Sequence, residues 1–430
     1  MTLSYDEAVA AVSARQSHGI EPGRERVLAL LDALADPHLG YPMVRVVGTN
    51  GKTSTARMVA ALIGAQGLKA GAFTSPQLEV VEDQFLFGAT AMRPKDFAAV
   101  TGEVVPVADV VAERTGAPAT EFEVLTAIAC AWFADRAVDV AVMEAGLGGR
   151  DDSTNVGRSE VTVLSGVSRD HIASLGDTVE AIAEHKVGIL DEGATLVAGH
   201  LEAPVVEVAE RVVRDRGGRL LRYGVDFGTE DVRFVDPGWV FDVEGVHERY
   251  TDIGTRLRGR HQVHNLVLAI AATEALLGRA LDEAAIREVA ATITVPGRME
   301  LVREDPPTLV DGAHNPGGMA TLVAALREEL PTTLWTVVFG AMDDTDVAAM
   351  ASVLEPIVVS VVATASSSPR AEAPETVAEK VRDALRVPVV VAASVVDALA
   401  IAGGAGTPIL VTGSIAVVGE ARRMLRPDSR

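Results

Sequence analysis

The residues best suited to chemistry form one short run: Gly48-Thr49-Asn50-Gly51, then Lys52-Thr53-Ser54-Thr55. An apolar stretch that breaks at glycines and reopens as an amphipathic segment leaves backbone N–H groups unpaired at a helix start. The helix dipole favours negative charge at that point, so the turn is built to hold phosphate. Lys52 would reach the terminal phosphates, and the Thr53 hydroxyl could ligate magnesium. The match to G-x-x-x-x-G-K-T is incomplete, because Val46 stands where the first glycine would fall. The competing reading is an ordinary strand-to-helix turn that contains Gly-Lys-Thr.

Other candidates follow apolar runs. Ser75 sits just past Lys69–Phe73, where open α/β sheets place their ligands, although alone it reads as a turn residue. Glu144 ends the run Val138–Met143 and precedes Gly146, Gly148 and Gly149. A carboxylate across a crevice from Lys52 and Thr53 is where the magnesium of a nucleotide would want an oxygen. His171, in Ser168-Arg169-Asp170-His171, reads either as a structural imidazole or as a metal ligand. Asp311-Gly312-Ala313-His314-Asn315-Pro316 reads as an Asp-Gly turn or as a group closing over the nucleotide from the other side. Lys186 lies on a helical pattern, where a lone lysine is ordinarily solvated.

These residues need a frame. Residues 1 to 40 read as two helices separated at Pro22-Gly23, and Met43–Val47 as a buried strand. Glu121–Asp135 has helical spacing, and Val161–Val167 reads as another strand. Residues 200 to 255 read as strand-like pieces with loops and no nameable chemistry. Arg258-Gly259-Arg260-His261-Gln262 leads into an Ala-rich helix ending near Gly278. Five further strands, Thr308–Val310, Leu334–Phe339, Ile357–Thr364, Val387–Ala392 and Pro408–Thr412, alternate with helices as in a parallel sheet. The fold class is therefore α/β. A P-loop-type doubly wound sheet domain is expected over residues 1–293, a linker over 294–299, and a smaller Rossmann-like domain over 300–430.

At 430 residues with 48% hydrophobic content, more than one core is expected. Aromatics are 4%, so Val, Ala and Leu must fill it. A formal net charge of -22 argues against nucleic acid or an anionic membrane as partner. The one cysteine, Cys130, excludes an intramolecular disulfide and lies in an apolar run as a buried thiol would. No basic segment precedes an apolar core at the N-terminus, and no apolar stretch reaches spanning length uninterrupted, so the expected location is the cytoplasm.

Ten segments together, GTNGKTS, TSPQL, MEAGLGGRDDSTN, RDHIASLGDT, IAEHKVGI, LRGRHQVHN, PGRME, VDGAHNP, FGAMDDTD and VTGS, resemble the folylpolyglutamate synthase/dihydrofolate synthase branch of the Mur ligases, in the same order. The resemblance implies ATP-dependent, ADP-forming amide ligation: the γ-phosphate passes to a substrate carboxylate, and an amino acid's amine attacks the acyl phosphate. Dihydropteroate or a reduced folate would be the acceptor and L-glutamate the amine. It implies ATP contacts at Gly48, Thr49, Asn50, Gly51, Lys52, Thr53 and Ser54, and also at Asn265, Arg298 and Asp311. Ser75, Glu144 and His171 would hold one magnesium. Lys186 matches a lysine that is carbamylated in the family and would serve a second. His314, with Lys52 and Lys186, would act in catalysis. Ser414 matches a residue near the incoming amino acid, and Thr120, Phe122 and Asp152 fall where pterin contacts occur. A monomer is implied.

The departures lie on the substrate side. Thr53 replaces a glycine common in the folate branch, Gln77 a histidine, Arg169 an aliphatic residue and Ala416 an aromatic one. Glu82-Asp83-Gln84 stands for Glu-Arg-aliphatic, and reversing a charge there would weaken binding of an anionic folate tail. Two alternatives therefore stand: the same ligation on a non-folate carboxylate, or a catalytically silent nucleotide-binding subunit. A small-molecule kinase is the weakest reading.

Overall fold

In the computed structural model of the protein, residues 3–19, 22–170 and 172–426 are described. Eight strands form the first sheet: β1 (Met43–Val47), β2 (Ala70–Phe73), β3 (Phe85–Phe87), β4 (Thr90–Ala91), β5 (Val140–Glu144), β6 (Ser159–Leu164), β7 (Thr195–Ala198) and β8 (Arg219–Arg222). Their order is β4-β3-β2-β5-β1-β6-β7-β8. β3 and β4 form an antiparallel edge, and the remaining neighbours pair in parallel. The chain leaves β1 toward one edge and later returns past it to β6 on the other side. The resulting switch point opens a crevice at the carboxyl ends of the strands.

Both faces of this sheet are covered, which is why its strands read as continuous apolar runs. Val44 and Val46 pack with helices Lys52–Ala65 and Arg260–Leu277, whereas Met43 and Val47 belong to the clusters on the opposite face. Arg45 shares that second face and is fully buried. Its guanidinium donates to Asp191 Oδ1 and to the carbonyls of Ile189, Val156 and Gly157 at 2.9–3.1 Å. Cys130 is buried too; burial pushes its thiol pKa up to about 12, so the expected inert thiol is what the fold contains.

A three-stranded antiparallel sheet, β9 (Gly228–Val235), β10 (Gly238–Glu244) and β11 (Arg249–Thr255), lays Trp239, Phe241 and Val243 on helix Arg260–Leu277. The second large sheet comprises β12 (Glu300–Glu304), β13 (Pro307–Val310), β14 (Trp335–Phe339), β15 (Val358–Ala363), β16 (Val389–Val391) and β17 (Ile409–Thr412). It is ordered β12-β13-β17-β14-β15-β16, with β12 antiparallel and the rest parallel.

Two expectations need correction. Residues 200 to 255 are not only strands and loops, because Ala203–Asp215 is a helix. Its valines suggest strand by type, but Val205, Val208 and Val212 recur at helical spacing and are buried, and Pro204 occupies the first turn. The second sheet is also not wholly parallel. β12 turns back on β13 through Asp305-Pro306, a hairpin hidden in a charged stretch. Among the described residues no helix is long and apolar enough to cross a membrane.

Helix Pro316–Glu329, on the second large sheet, meets the rest of the molecule at both of its ends. At its C-terminal end the fully buried Glu329 carboxylate accepts from Trp239 Nε1 at 2.9 Å, Arg258 Nη1 at 3.2 Å and the Gly259 N–H. Glu328 pairs with Arg260 at 2.7 Å, and Arg260 lies 5.0 Å from the Trp239 ring centroid. At its N-terminal end is the crevice.

Candidate active site

β1 delivers its chain into the turn at Gly48, and helix Lys52–Ala65 starts at once. Gly48 (φ 148°) and Gly51 (φ 83°) take backbone conformations that side chains resist. A Cβ on Gly48 would lie 2.0 Å from Ser165 Oγ, and one on Gly51 2.7 Å from Asn265 Oδ1. Ser165 Oγ donates to the Asn50 carbonyl at 2.6 Å, and Thr49 exchanges hydrogen bonds with the Ser168 backbone at 3.1 Å. The loop is thus held by the end of β6 on one side and by helix Arg260–Leu277 on the other. Ser54 is buried behind it. Lys52 Nζ donates to the carbonyls of Gly48 and Thr49 at 3.2 and 3.1 Å.

Glu144, the last residue of β5, is buried beside this loop. Its Oε1 accepts from Thr53 Oγ1 at 2.9 Å and its Oε2 from the Ser75 N–H at 3.0 Å. Burial pushes its pKa up, while Lys52, Ser75 and Thr53 pull the other way. A buried carboxylate with only hydroxyl and amide partners is short of positive charge. Together with the Thr53 hydroxyl, and with Ser75 held alongside through its N–H, that carboxylate suits a magnesium that keeps waters and phosphate oxygens. Among the described residues no three His, Cys, Asp or Glu side chains cluster as ligands, so protein carboxylates alone make no cage. His171 lies outside the described residues.

Lys186 is buried, and its Nζ donates to the Gly48 carbonyl at 2.6 Å. Burial, reinforced by Lys52, pulls its pKa down to about 7 against Asp170 and Asp152. This lysine is therefore not the solvated residue its helical pattern alone suggests. Gly149 permits the approach, since a Cβ there would lie 2.6 Å from the Lys186 carbonyl. Asp152 is buried and accepts from the Leu147 N–H, the Thr154 N–H and Thr154 Oγ1 at 2.6–2.9 Å, which shapes the glycine-rich turn.

The second sheet supplies the opposing wall. Asp311 follows β13, is buried, and accepts from the N–H groups of Met299 and Ala313 at 2.9 and 2.8 Å. His314 Nδ1 is 2.8 Å from the Gly312 carbonyl, which can only accept, so Nδ1 carries the proton. Burial lowers the His314 pKa, leaving a neutral ring whose Nε2 can take a proton. Asn315 caps helix Pro316–Glu329 and reaches across: it exchanges amide hydrogen bonds with Asn50 at 3.1 and 3.3 Å and donates to Asp170 Oδ2 at 3.0 Å. Ser414, buried after β17, caps helix Ile415–Leu425 by accepting from the Ala416 N–H at 3.2 Å. Arg298 lies against Gly312, where a Cβ would come within 2.3 Å of its Nη1.

The crevice thus gathers the phosphate loop, Ser75, Glu144, Lys186, Asn265, Arg298, Asp311 and His314. Thr120 and Phe122 lie at the start of the helix that packs on the glycine-rich turn after Glu144. Thr120 caps helix Glu121–Asp135 in a reciprocal box with Glu123, and Phe122 stacks on Phe73 with centroids 5.7 Å apart and packs at Gly146. Residue typing passed over Asn315, Asp170, Ser165 and Arg57. Asn315-Pro316, a cap followed by proline in the first turn, was a legible signal; Ser165 carried none. Asp83 does not face an incoming anion freely, because its carboxylate accepts from the N–H groups of Glu79 and Val80 at 3.0 and 3.1 Å.

Comparisons with known proteins identify the family. Residues 46–273 match the Mur ligase middle domain and residues 297–415 the Mur ligase glutamate ligase domain. A dihydrofolate synthase/folylpolyglutamate synthase of Mycobacterium tuberculosis is 37% identical over 445 residues, covering 95% of this chain and 91% of that protein. A folylpolyglutamate synthase of Lacticaseibacillus casei is 33% identical, covering 81% and 82%. The solved M. tuberculosis folylpolyglutamate synthase complexed with ADP and AMPPCP superposes with a TM-score of 0.93 at 34% identity, covering 98% of this chain and all of that one. An FPGS–AMPPCP–folate complex gives 0.86 at 30% identity, with 98% of this chain covered. The chain belongs to the Mur ligase family, within its folylpolyglutamate synthase/dihydrofolate synthase branch, and is an ATP-dependent C–N ligase.

Proposed function

We propose that the protein joins L-glutamate to the carboxylate of dihydropteroate or of a reduced folate, forming ADP and phosphate through an acyl phosphate. The observation that carries this reading is the pairing, across one crevice, of a phosphate loop and buried Glu144 with His314 and Asn315 from the second sheet.

In the first step a carboxylate oxygen attacks the γ-phosphorus, the bond to the β-phosphate oxygen breaks, and ADP leaves. The Gly48–Ser54 backbone cradles the phosphates, and Lys52 swings from the Gly48 and Thr49 carbonyls to the transferring group. Thr53, Ser75 and Glu144, with His171, would hold a magnesium that neutralises the charge developing there. In the second step the amine attacks the acyl carbon, the C–O bond to phosphate breaks, and the amine's proton departs. Neutral His314 takes the ammonium proton at Nε2 beforehand, and the helix cap at Ser414 orients the amino acid. Asn265, Arg298 and Asp311 hold the nucleotide, while Thr120, Phe122 and Asp152 border the pterin side.

Lys186 is proposed to react with carbon dioxide, its neutral amine forming an N–C bond and releasing a proton. A pKa near 7 supplies that neutral amine at physiological pH, and the carbamate would serve a second magnesium. Residues 1–293 and 300–430 are proposed to act as two bodies joined at 294–299 that close over ATP, in a monomeric cytoplasmic enzyme.

The test is acceptor-dependent ADP release with Mg-ATP and L-glutamate, comparing dihydropteroate, tetrahydrofolate and no acceptor, with product masses recorded. A glutamate-sized mass gain is expected. ATP binding without turnover on either pterin would sink the reading and point to another carboxylate.

A further inference from the structure

Two arginines beside the first sheet are treated differently. Arg45 is matched by Asp191 and three carbonyls. Arg57 stands on helix Lys52–Ala65 one turn past Thr53, hence on the same side of the helix. It donates to the Asp83 carbonyl at 3.0 Å and, among the described residues, makes no other hydrogen bond and no ion pair. Burial presses its pKa down; the Asp83 and Glu144 carboxylates oppose this, and Arg298 and Arg422 add to it more weakly. Arg298 donates to the Gly297 carbonyl at 3.1 Å and likewise makes no ion pair among the described residues. Both guanidiniums line one cavity of about 20 Å³ between the sheets, whose wall includes Thr53, Asp83 and Ile415.

Two half-buried guanidiniums with donors open to one cavity suit an anion, and a planar carboxylate takes two N–H groups from a guanidinium fork. The cavity has room for an oxygen-sized group. One side is Thr53, where phosphate would lie; the other is Ile415, next to Ser414. The Asp83 carboxylate is held at Oδ2 by the Glu79 and Val80 N–H groups and keeps its charge, so an anion in the cavity depends on the two guanidiniums together to outweigh it.

We infer that Arg57, beside the nucleotide-contacting Arg298, seats the acceptor's carboxylate between the phosphoryl donor and the amine. This rests on the ligase reading above. The positive charge missing at position 83 is thereby supplied from a different element, the phosphate-loop helix. Nucleotide phosphate shares this anionic chemistry, so the test separates the two.

Steady-state kinetics and thermal melting are compared for wild type, Arg57→Ala, Arg57→Gln and Arg57→Lys. The expected result for Arg57→Ala is a rise in acceptor KM of about 10- to 100-fold, the scale of a lost charge-assisted pair, with ATP KM within about twofold. Arg57→Lys should fall between, and if Arg57→Ala does not fold, Arg57→Gln carries the same readout. An unchanged acceptor KM, or an ATP KM that rises equally, overturns the inference. If wild type itself turns over neither pterin, the ligase reading has failed. Calorimetry of p-aminobenzoyl-L-glutamate on the ADP-bound protein then decides the anion site: binding lost in Arg57→Ala upholds it, and equal or absent binding overturns it.

Discussion

The two ends of helix Pro316–Glu329 meet the rest of the molecule under opposite rules. At the C-terminal end the buried Glu329 carboxylate has Arg258, Trp239 and Gly259 around it, and Arg260 pairs with Glu328. At the N-terminal end charged groups lack direct ion pairs: buried Glu144 has hydroxyl and amide partners with Lys52 acting from farther off, buried Lys186 donates to a carbonyl, and half-buried Arg57 and Arg298 make no ion pair among the described residues. Leaving charge uncompensated in a protein interior is costly, so it persists where a ligand completes the set. The first seam is structure, and the second is where, on the proposed reading, phosphate, magnesium and the acceptor carboxylate would bind.

Breaking the unanswered side should abolish chemistry while leaving the fold. Lys186→Ala is expected to lose about 10³-fold in turnover, the upper scale for one electrostatic group, and to retain ATP binding by calorimetry, with partial recovery on adding short carboxylates. Full activity of the variant would refute its role. Glu144→Gln keeps the shape but removes the charge, and a fall of about 10²-fold with a raised magnesium requirement is expected from a magnesium titration of the rate.

The answered seam should respond in stability. Glu329→Ala leaves the half-buried Arg258, the buried Trp239 indole and the Gly259 N–H without their acceptor, and a loss of about 3 kcal/mol in urea unfolding is expected. The smallest effect belongs to Asn315→Ala, which removes a helix cap and the bridge to Asn50 and Asp170: about 1 kcal/mol, with kcat lowered more than ATP affinity.

Acidity sharpens the same contrast. Lys186 has a folded pKa of about 7, below its unfolded value, so between these two values the unfolded chain binds more protons and stability rises with pH. Below about 7 both forms are protonated and the penalty is constant. Carbamate formation consumes the neutral amine, so activity should climb through pH 7 and respond to added bicarbonate most at the acid end. A flat profile under both conditions would remove the carbamate.

Much of this was legible in residue order. Glu121–Asp135 is the helix its spacing indicates, and Met43–Val47 the strand. The phosphate loop announced itself through glycines that must lie close to a neighbouring backbone. What residue order concealed depends on tertiary context. Lys186 looks like any helical lysine until the Gly149 turn covers it, and Ala203–Asp215 looks like strand because its valines are β-branched. Glu329 and Arg57 gave no signal, because nothing in a sequence states whether a charge will meet its partner.

The central claim is that the crevice activates a carboxylate by phosphorylating it. The most direct measurement uses an acceptor labelled with ¹⁸O in its carboxylate, followed by mass analysis of the inorganic phosphate released in the presence of Mg-ATP and L-glutamate. One ¹⁸O per phosphate is the predicted result, because the carboxylate oxygen that attacked phosphorus leaves with it. Amide product accompanied by unlabelled phosphate would contradict the account.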